Sequence, residues 1–237
     1  MGYYYVENID VDQIVLSPEE SKHLVKVLRK RVGDEVLFTN GKGERVRAQI
    51  TIAEKDMCVA EVLERETNLS KRTKQLHIAV APTKNPDRME WFVEKAVEMG
   101  IEKITFLQCE RSERKKIDLD RMKRIAVAAL KQSSAIYLPD FDFVTFSDFF
   151  NGIDKTITDC YIAHCEKEDS AIQWINISSQ KSWVLLLIGP EGDFSPQEIE
   201  KARTEGFCEV KLGNKILRTE TAALYGVAVF AARELSW

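Results

Sequence analysis

The sequence predicts an α/β protein with a small N-terminal β-barrel and a C-terminal domain in which helices cover both faces of a parallel sheet. Short strand-like runs separated by turns dominate up to about residue 70, and strand-like runs alternate with amphipathic helices beyond it. Such alternation is typical of parallel sheets, because each helix returns the chain to the same edge. We therefore place the two domains at residues 1–70 and 71–237, with the polar stretch 66–74 as a linker.

The N-terminal part combines several strands with a single helix. Four apolar or alternating runs predict strands, at residues 13–16, 35–39, 45–53 and 57–63. The sequence Ser17-Pro-Glu-Glu20 resembles a capping box and predicts a helix that continues to about Arg29. Leu24, Val25 and Leu28 are expected to lie on one face of this helix. Several short strands with one helix indicate a small barrel.

The C-terminal part alternates strands and helices throughout. Strands are predicted at residues 76–81, 103–108, 160–163, 183–188 and 207–212. Helices are predicted at residues 86–99, 119–133, 196–205 and 219–235. The clearest helix start is at Ser195, where Pro196 and Glu198 complete a capping box and Phe194 can pack on Ile199.

The composition is that of a soluble globular protein. The chain has 237 residues, of which 44% are hydrophobic and 30% charged, which is enough to bury a substantial core. No apolar run reaches the ~18 residues that a membrane span needs. The first residues show neither a signal peptide nor a myristoylation pattern. We therefore expect a cytoplasmic protein with no membrane partner.

The five cysteines predict free thiols. Their count is odd and no two form a CxxC pair, which disfavours a disulfide framework and a structural zinc site. Cys58, Cys109 and Cys208 fall in strand-like runs, where a thiol behaves as a small buried apolar group. The three histidines have no metal-ligand spacing either, so we expect no metal site.

The charge distribution leaves nucleic-acid binding open. The net charge is −4, but local clusters matter more than the total. Basic residues concentrate at 22–31, 71–74 and 111–124. Each cluster, taken alone, is equally compatible with an ordinary solvated surface.

Two loops after predicted strands are candidates for ligand binding, because ligands of open α/β sheets lie beyond the carboxyl ends of the strands. The loop 189–193 is rich in glycine, which allows close backbone approach, and presents Glu191. The loop 213–222 contains Ile216 and Leu217, which could wall an aromatic ring. The alternative for loop 189–193 is a plain strand-to-helix turn. The alternative for loop 213–222 is a hydrophobic staple for the last helix. No GxGxxG or Walker motif is present, which disfavours a dinucleotide oxidoreductase and a P-loop NTPase.

The two loops also carry a family resemblance. GPEGDFSPQEIE at 189–200 and LGNKILRTETAAL at 212–224 resemble the RsmE family of 16S rRNA uridine-N3 methyltransferases, in the SPOUT superfamily. His23-Leu-Val-Lys-Val-Leu-Arg29 resembles that family's PUA-like RNA-binding barrel, and the segments 95–105 and 110–112 also match its pattern. Members often have glycine at the position of Asp193.

The resemblance implies a fold, a cofactor and partners. It implies a deep trefoil knot, a homodimer and S-adenosyl-L-methionine bound in a bent form at the knot. The implied substrate is a uridine of 16S rRNA. The enzyme would act on it either in naked RNA or within the small ribosomal subunit. No metal is needed, because the cofactor already carries an activated methyl group.

The resemblance and the loop positions together give expected site residues. The cofactor is expected to contact His164, Ile188, Gly189, Pro190, Glu191, Gly192, Leu212, Gly213, Ile216, Leu217, Arg218 and Thr219. Arg218 is the expected catalytic residue, because a cation beside the uracil oxygens would stabilise the anion formed when N3 loses its proton. Glu191 is expected to accept that proton or hold the base, with Glu220 as the alternative. RNA phosphates are expected to contact Arg29, Lys30, Arg31, Lys84, Arg88 and Arg111.

Two other functions remain open at this point. One is another SPOUT methyltransferase that acts on tRNA or on a ribose. The other is an RNA-binding ribosome assembly factor whose cofactor pocket is only structural. Binding of S-adenosylmethionine distinguishes the second from an enzyme, and the position of the transferred methyl group distinguishes the first.

Overall fold

The computed structural model describes residues 3–67, 69, 72–166 and 171–234. These residues form two compact units. One comprises residues 1–71 and 127–138, and the other comprises residues 72–126 and 139–237.

The N-terminal unit is built on a curled half-barrel sheet. Its strands among the described residues are β1 Tyr4–Tyr5, β2 Gln13–Val15, β3 Glu35–Thr39, β4 Arg45–Ala53 and β5 Cys58–Glu66. They lie in the order β1-β3-β4-β5-β2, antiparallel except for the parallel pair β1 and β3. Irregular register at Arg47/Ala48 and Ile50/Ile52 bends the β4–β5 pair, as bulges do. The concave side buries an apolar core that includes Ile14, Leu24 and Phe38.

The helix of this unit is shorter than predicted. Helix α1 covers Pro18–Lys22 and passes into a π-helix at His23–Val27, in which the Leu28 N–H donates to the His23 carbonyl at 3.1 Å. The wider turn rotates Leu28 off the buried face, so that Leu28 is 50% exposed. Arg29 already has a φ of +56°. The predictions of an α-helix to Arg29 and of Leu28 on the same face as Leu24 are therefore wrong.

The second unit contains the parallel sheet that the alternating pattern predicts. Its strands are β6 Gln75–Val80, β7 Lys103–Gln108, β8 Asp140–Thr145, β9 Thr158–Ala163, β10 Ile172–Gln173, β11 Trp183–Ile188 and β12 Cys208–Lys211. The helices that follow α1 are α2 Pro86–Glu98, α3 Leu119–Ser133, α4 Phe146–Phe149, α5 Pro196–Thr204 and α6 Thr219–Glu234. Among the described residues, seven strands lie in the order β10-β12-β9-β11-β6-β7-β8, and every pairing is parallel.

Helices and turns cover both faces of this sheet. On one face, Leu185 and Leu187 of β11 join a buried cluster with Phe194 and the phenylalanines of α4. On the other face, Gly226 of α6 lies so close to Leu186 that an added Cβ would be 2.7 Å from its Cδ2 atom. The strands are therefore buried on both sides, which explains their nearly continuous apolar runs. This confirms the predicted class of the domain, while the trefoil knot stays a prediction.

Several features differ from the sequence predictions. The strand β8 was missed, although its alternating polar and apolar residues are typical of a half-buried edge strand. Cys208 is exposed rather than buried. The reason is that β10 pairs only with Val210 and Lys211, which leaves the start of β12 uncovered. Residues 68, 70 and 71 of the predicted linker and Leu235 of the predicted last helix lie outside the described residues.

No helix in the described ranges combines the length and the apolar character needed to cross a membrane.

Candidate functional site

A large cleft of the second unit lies at the carboxyl ends of three neighbouring strands. β12, β9 and β11 are adjacent in the sheet, and the segments that follow them line a cavity of about 660 Å³. These segments span residues 163–166, 188–193 and 210–219. The cavity volume lies near the middle of the range typical of sites for drug-sized ligands and cofactors. Its location is the one expected for ligands of open α/β sheets.

The loop after β11 packs tightly against the core. A Cβ on Gly189 would lie 3.1 Å from both the backbone nitrogen and the ring of Phe194, which is buried. The loop closes by a hydrogen bond from the Asp193 N–H to the Pro190 carbonyl, at 2.9 Å. Gly189 therefore allows the loop to pack closely against Phe194.

Asp193 occupies a backbone conformation that favours glycine. Its φ is +60°, in the left-handed region. Two hydrogen bonds compensate, because one carboxylate oxygen accepts from the Cys165 N–H at 2.7 Å and the other accepts from the Phe194 N–H at 2.8 Å. This geometry explains how aspartate replaces glycine here while tying the loop after β11 to the loop after β9.

The loop after β12 presents an apolar and a cationic side chain to the cleft. Gly213 has a φ of +147°, which L residues rarely adopt. Ile216 is 87% exposed, although its side chain is apolar. Arg218 is exposed and, in the described part of the chain, has no carboxylate partner. The loop therefore holds both an apolar surface and an uncompensated charge at the cavity.

A hydrogen bond joins the two loops. The buried Thr219 hydroxyl donates to the Gly189 carbonyl at 3.1 Å. This bond fixes the loop after β12 against the loop after β11 at the start of α6.

Loss of this bond should weaken cofactor binding. We expect Thr219→Val to lower the affinity for S-adenosylmethionine by about three- to tenfold, since a hydrogen bond contributes about 0.5–1.5 kcal/mol. Thr221→Val, at an exposed position two residues further along α6, is the matched control. Calorimetric titration measures both. Equal affinity of the two variants would contradict the role of this bond.

His164 contributes a buried polar atom to the cavity. Its Nε2 atom lies 3.0 Å from Glu209 Oε2, and Arg203 binds the other oxygen of Glu209. The Nδ1 atom of His164 is buried and, among the described residues, has no hydrogen-bond partner.

Glu191 belongs to the cleft but is already partly engaged. Its Oε1 atom accepts a hydrogen bond from the Lys84 N–H at 3.0 Å, and its side chain lines the cavity. Glu220, the alternative, does not line this cavity. Its carboxylate is 8% exposed and lies 3.7 Å from the Arg88 Nε atom. Glu191 is thus better placed than Glu220 to contact a ligand in this cavity.

The predicted cofactor residues fall almost entirely around this cavity. His164, Ile188, Gly189, Pro190, Glu191, Leu212, Gly213, Ile216, Leu217, Arg218 and Thr219 line it. Gly192 does not, because it faces the Arg111 side chain, where an added Cβ would lie 3.5 Å from Arg111 Cβ. Further lining residues were missed by the sequence reasoning: Cys165, Glu166, Asp193, Lys211, Asn214 and Lys215. They are sequence neighbours of predicted residues, so wider loop boundaries would have found them.

The cations predicted to contact RNA have different environments. Arg111 donates to the Gly192 carbonyl at 3.0 Å and to the Phe194 carbonyl at 3.2 Å, so it braces the loop after β11. Arg88 faces Glu220, and Lys84 pairs with Glu113 at 2.9 Å. In the N-terminal unit Arg29 and Arg31 are exposed, and Lys30 is half-buried with its Nζ atom 3.2 Å from the Glu35 carbonyl.

No group of three or more potential metal-ligating side chains occurs in the ranges that the structure describes.

The parallel sheet with this cleft and the half-barrel sheet of the other unit correspond to a known pair of domains. Residues 70–231 match the RNA methyltransferase domain, and residues 16–63 match the RNA methyltransferase PUA domain. The first match covers well over half of the 237 residues. The chain belongs to the RNA methyltransferase family.

The similarity to known proteins extends over nearly the whole chain. The chain is 28% identical to the ribosomal RNA small subunit methyltransferase E of Bacillus subtilis, over 98% of this chain and 96% of the relative. A probable rRNA-methyltransferase from Porphyromonas gingivalis has a similar crystal structure, with 33% identity, a TM-score of 0.89 and 98% of each chain covered. A ribosomal RNA small subunit methyltransferase E from Neisseria gonorrhoeae, bound to S-adenosyl methionine, has 26% identity, a TM-score of 0.84 and the same coverage.

Proposed function

We propose that the chain transfers the methyl group of S-adenosylmethionine to N3 of a uridine in 16S ribosomal RNA. The observation that carries this proposal is the cleft at the ends of β9, β11 and β12, in which Arg218 has no carboxylate partner among the described residues. The relatives named small subunit methyltransferase E support the choice of substrate. Within this proposal, residues 1–70 serve RNA binding and residues 71–237 form the catalytic domain.

The residues of the cleft fit S-adenosylmethionine. When bound, this cofactor supplies a methyl group attached to a positively charged sulfur. After the transfer, the sulfur remains in the product as a neutral thioether. Ile216 and Leu217 offer apolar surface for an adenine ring, and the backbone of the two glycine-bearing loops offers polar groups for its edge.

Arg218 would act on the substrate base. Uracil N3 carries a proton, and its loss leaves negative charge on the neighbouring carbonyl oxygens. A fixed cation beside these oxygens stabilises the anion without rearrangement during the reaction. Arg218 suits this role because it lies at the cleft and its charge is not neutralised by a described carboxylate.

Glu191 is the proposed acceptor of the N3 proton. Because Lys84 N–H occupies Oε1, the other carboxylate oxygen remains for the base. We expect Glu191→Gln, which retains a carbonyl acceptor but cannot take up the N3 proton, to lower kcat by about 10²-fold. Glu166→Gln, another acidic lining residue, is the control. An unchanged kcat in Glu191→Gln would exclude Glu191 as the proton acceptor.

RNA binding is proposed to rest on Arg29, Lys30, Arg31, Lys84, Arg88 and Arg111. Each phosphate contact releases counterions, so affinity should fall as salt rises. We expect Arg31→Ala to reduce the slope of log K against log salt by about 0.7–0.9. Lys155, which precedes β9 and pairs with Glu205 at 2.6 Å, is the control position. Filter binding of rRNA fragments at several salt concentrations measures both, and equal slopes would remove Arg31 from the RNA-binding surface.

We propose that the working form is a homodimer acting on the small ribosomal subunit. The resemblance to the RsmE family supports this. Light scattering of the purified protein tests the dimer. A monomeric wild-type protein would contradict it.

The alternative function, an assembly factor without catalysis, makes a different prediction for the cofactor. Titration calorimetry should give heat on adding S-adenosylmethionine to the wild-type chain. Absence of heat, together with absence of a shift in Tm, would favour the assembly factor.

A further inference from the structure

One residue of the second unit has a backbone conformation that is costly for its type, and it lies in the cleft. Among the described residues, three residues other than glycine have a positive φ: Arg29, Ser134 and Asp193. Of these, Asp193 belongs to the second unit, and its side chain lines the cleft. Strained residues persist where the surrounding structure holds them, and they cluster at ligand sites. The strain at Asp193 therefore points to a role of its side chain in the cleft.

The loop after β11, which carries this aspartate, is anchored to other segments of the same unit. The buried Thr219 hydroxyl donates to the Gly189 carbonyl at 3.1 Å. Arg111 donates to the carbonyls of Gly192 and Phe194, at 3.0 and 3.2 Å. These two carbonyls stand directly before and after the aspartate. Its backbone is therefore held on both sides.

Two carboxylates of other segments hold the described part of the loop after β9. Glu209 Oε2 lies 3.0 Å from His164 Nε2, and Asp193 Oδ2 accepts the Cys165 N–H at 2.7 Å. The other Asp193 oxygen accepts the Phe194 N–H at 2.8 Å, which fixes the direction of the carboxylate. Because β9 lies between β11 and β12, its loop emerges between the two glycine-bearing loops. Asp193 therefore connects the anchored loop after β11 to the middle wall of the cleft.

We propose that Asp193 is a positioning residue for S-adenosylmethionine, whose carboxylate holds the loop after β9 in the conformation that forms one wall of the cofactor site. Without the bond to the Cys165 N–H, the loop would populate other conformations. The apparent affinity would then fall with the fraction of the protein that is competent to bind. A hydrogen bond to an ionised acceptor is stronger than a neutral one, so a single carboxylate can control this fraction. The inference rests on the proposed function only in taking this cleft as the cofactor site.

Cys165 provides a chemical probe of this loop. Its thiol is exposed and lines the same cleft. Partial burial, and then the Asp193 carboxylate, raise the pKa of this thiol. Loss of the carboxylate should therefore increase the fraction of thiolate, which is the reactive form. Cys208, also exposed, stands at the amino end of β12, away from the cleft, and is an internal control.

Calorimetric titration of the full chain with S-adenosylmethionine is the first test. Asp193→Gly leaves the left-handed conformation accessible and removes the carboxylate, so we expect about tenfold weaker binding, as the loss of one hydrogen bond to a charged group allows. Asp193→Asn tolerates the same conformation and keeps one acceptor oxygen, so its loss should be smaller. Asp140→Asn removes the same charge from an exposed position of β8, at the far edge of the sheet, and should bind as the wild type does.

S-adenosylhomocysteine separates positioning from direct attraction between charges. This neutral thioether lacks the positive charge on sulfur but has the same adenosine and amino-acid groups. A correctly placed loop serves both ligands, so Asp193→Gly should weaken the binding of both by the same factor. A loss confined to S-adenosylmethionine would indicate attraction of the carboxylate to the sulfonium and would overturn the positioning role.

Alkylation by iodoacetamide, followed by peptide mass mapping, is the second readout. In the free protein, Cys165 should react about three- to tenfold faster in Asp193→Gly than in the wild type, while Cys208 reacts equally in both. Saturating S-adenosylmethionine should slow the alkylation of Cys165 and leave that of Cys208 unchanged. Equal reactivity of Cys165 in the two proteins, or no protection by the cofactor, would overturn the proposal.

Methyl transfer measured in parallel distinguishes this inference from the proposed function. In Asp193→Gly the KM for the cofactor should rise by about tenfold while kcat stays close to the wild-type value, because saturating cofactor restores the loop. Weaker cofactor binding in Asp193→Gly, without methyl transfer by the wild type, would refute the proposed function alone. Methyl transfer by the wild type, with equal cofactor affinity in Asp193→Gly and Asp140→Asn, would refute this role of Asp193 alone.

Discussion

Replacing Arg218 with alanine should lower the rate of methyl transfer by about 10²–10³-fold, the usual effect of removing one donor that stabilises a developing anion. Affinity for S-adenosylmethionine should change much less, because the proposed contact is made with the uracil oxygens. The effect should therefore appear in kcat and in kcat/KM together. Single-turnover assays with a saturating cofactor concentration measure it directly.

Two variants serve as controls for Arg218. Lys215→Ala removes another exposed cation from the same loop and should reduce the rate only slightly. Arg218→Lys keeps the charge but loses the planar guanidinium, so partial activity is expected. If Lys215→Ala and Arg218→Ala reduced the rate equally, the role of Arg218 would be one of general electrostatic attraction.

Replacing Gly43 with alanine should destabilise the N-terminal unit by about 2–5 kcal/mol, through backbone strain and steric overlap together. Gly43 has a φ of +84°, and a Cβ there would lie 2.0 Å from the Tyr137 hydroxyl oxygen. The backbone cannot easily retreat, because the Gly43 N–H donates to the Ile136 carbonyl at 2.9 Å.

Gly33→Ala separates the two contributions to this loss. Gly33 has a φ of +92°, but a Cβ there would have no heavy atom within 4 Å. Only the strain remains, and a loss of about 1–2 kcal/mol is expected. Urea unfolding of both variants gives the comparison. Equal losses would mean that Tyr137 moves aside without cost.

Local sequence signals predict much of this fold because the relevant interactions are local. Both halves of the capping box at Ser195 form, with the Glu198 N–H 3.3 Å from the Ser195 hydroxyl and the Ser195 N–H 2.9 Å from the Glu198 carboxylate. The long apolar run of β11 likewise reflects burial on both faces of the sheet. The π-helix at 23–27 could not be predicted in this way, because no periodicity of apolar residues indicates a change from i→i+4 to i→i+5 hydrogen bonds.

The site is predictable only in part, because the order of strands in a sheet cannot be inferred from short sequence motifs. The loops after β11 and β12 stand out by their glycines and unusual apolar residues, whereas the loop after β9 has no such signal beyond His164. It joins the cleft because β9 lies between β11 and β12 in the sheet. The bracing of the loop after β11 by Arg111, more than 80 residues away in sequence, is also invisible to motif reasoning.

The most direct test of the proposed function is methyl transfer from labelled S-adenosylmethionine to small ribosomal subunits that lack base methylation, followed by mass mapping of the modified nucleoside. The structure and the family predict label in N3-methyluridine of 16S rRNA, and loss of that label with Arg218→Ala. Label on tRNA or on a ribose, with none on uridine N3, would contradict the proposed reaction while leaving the fold in place.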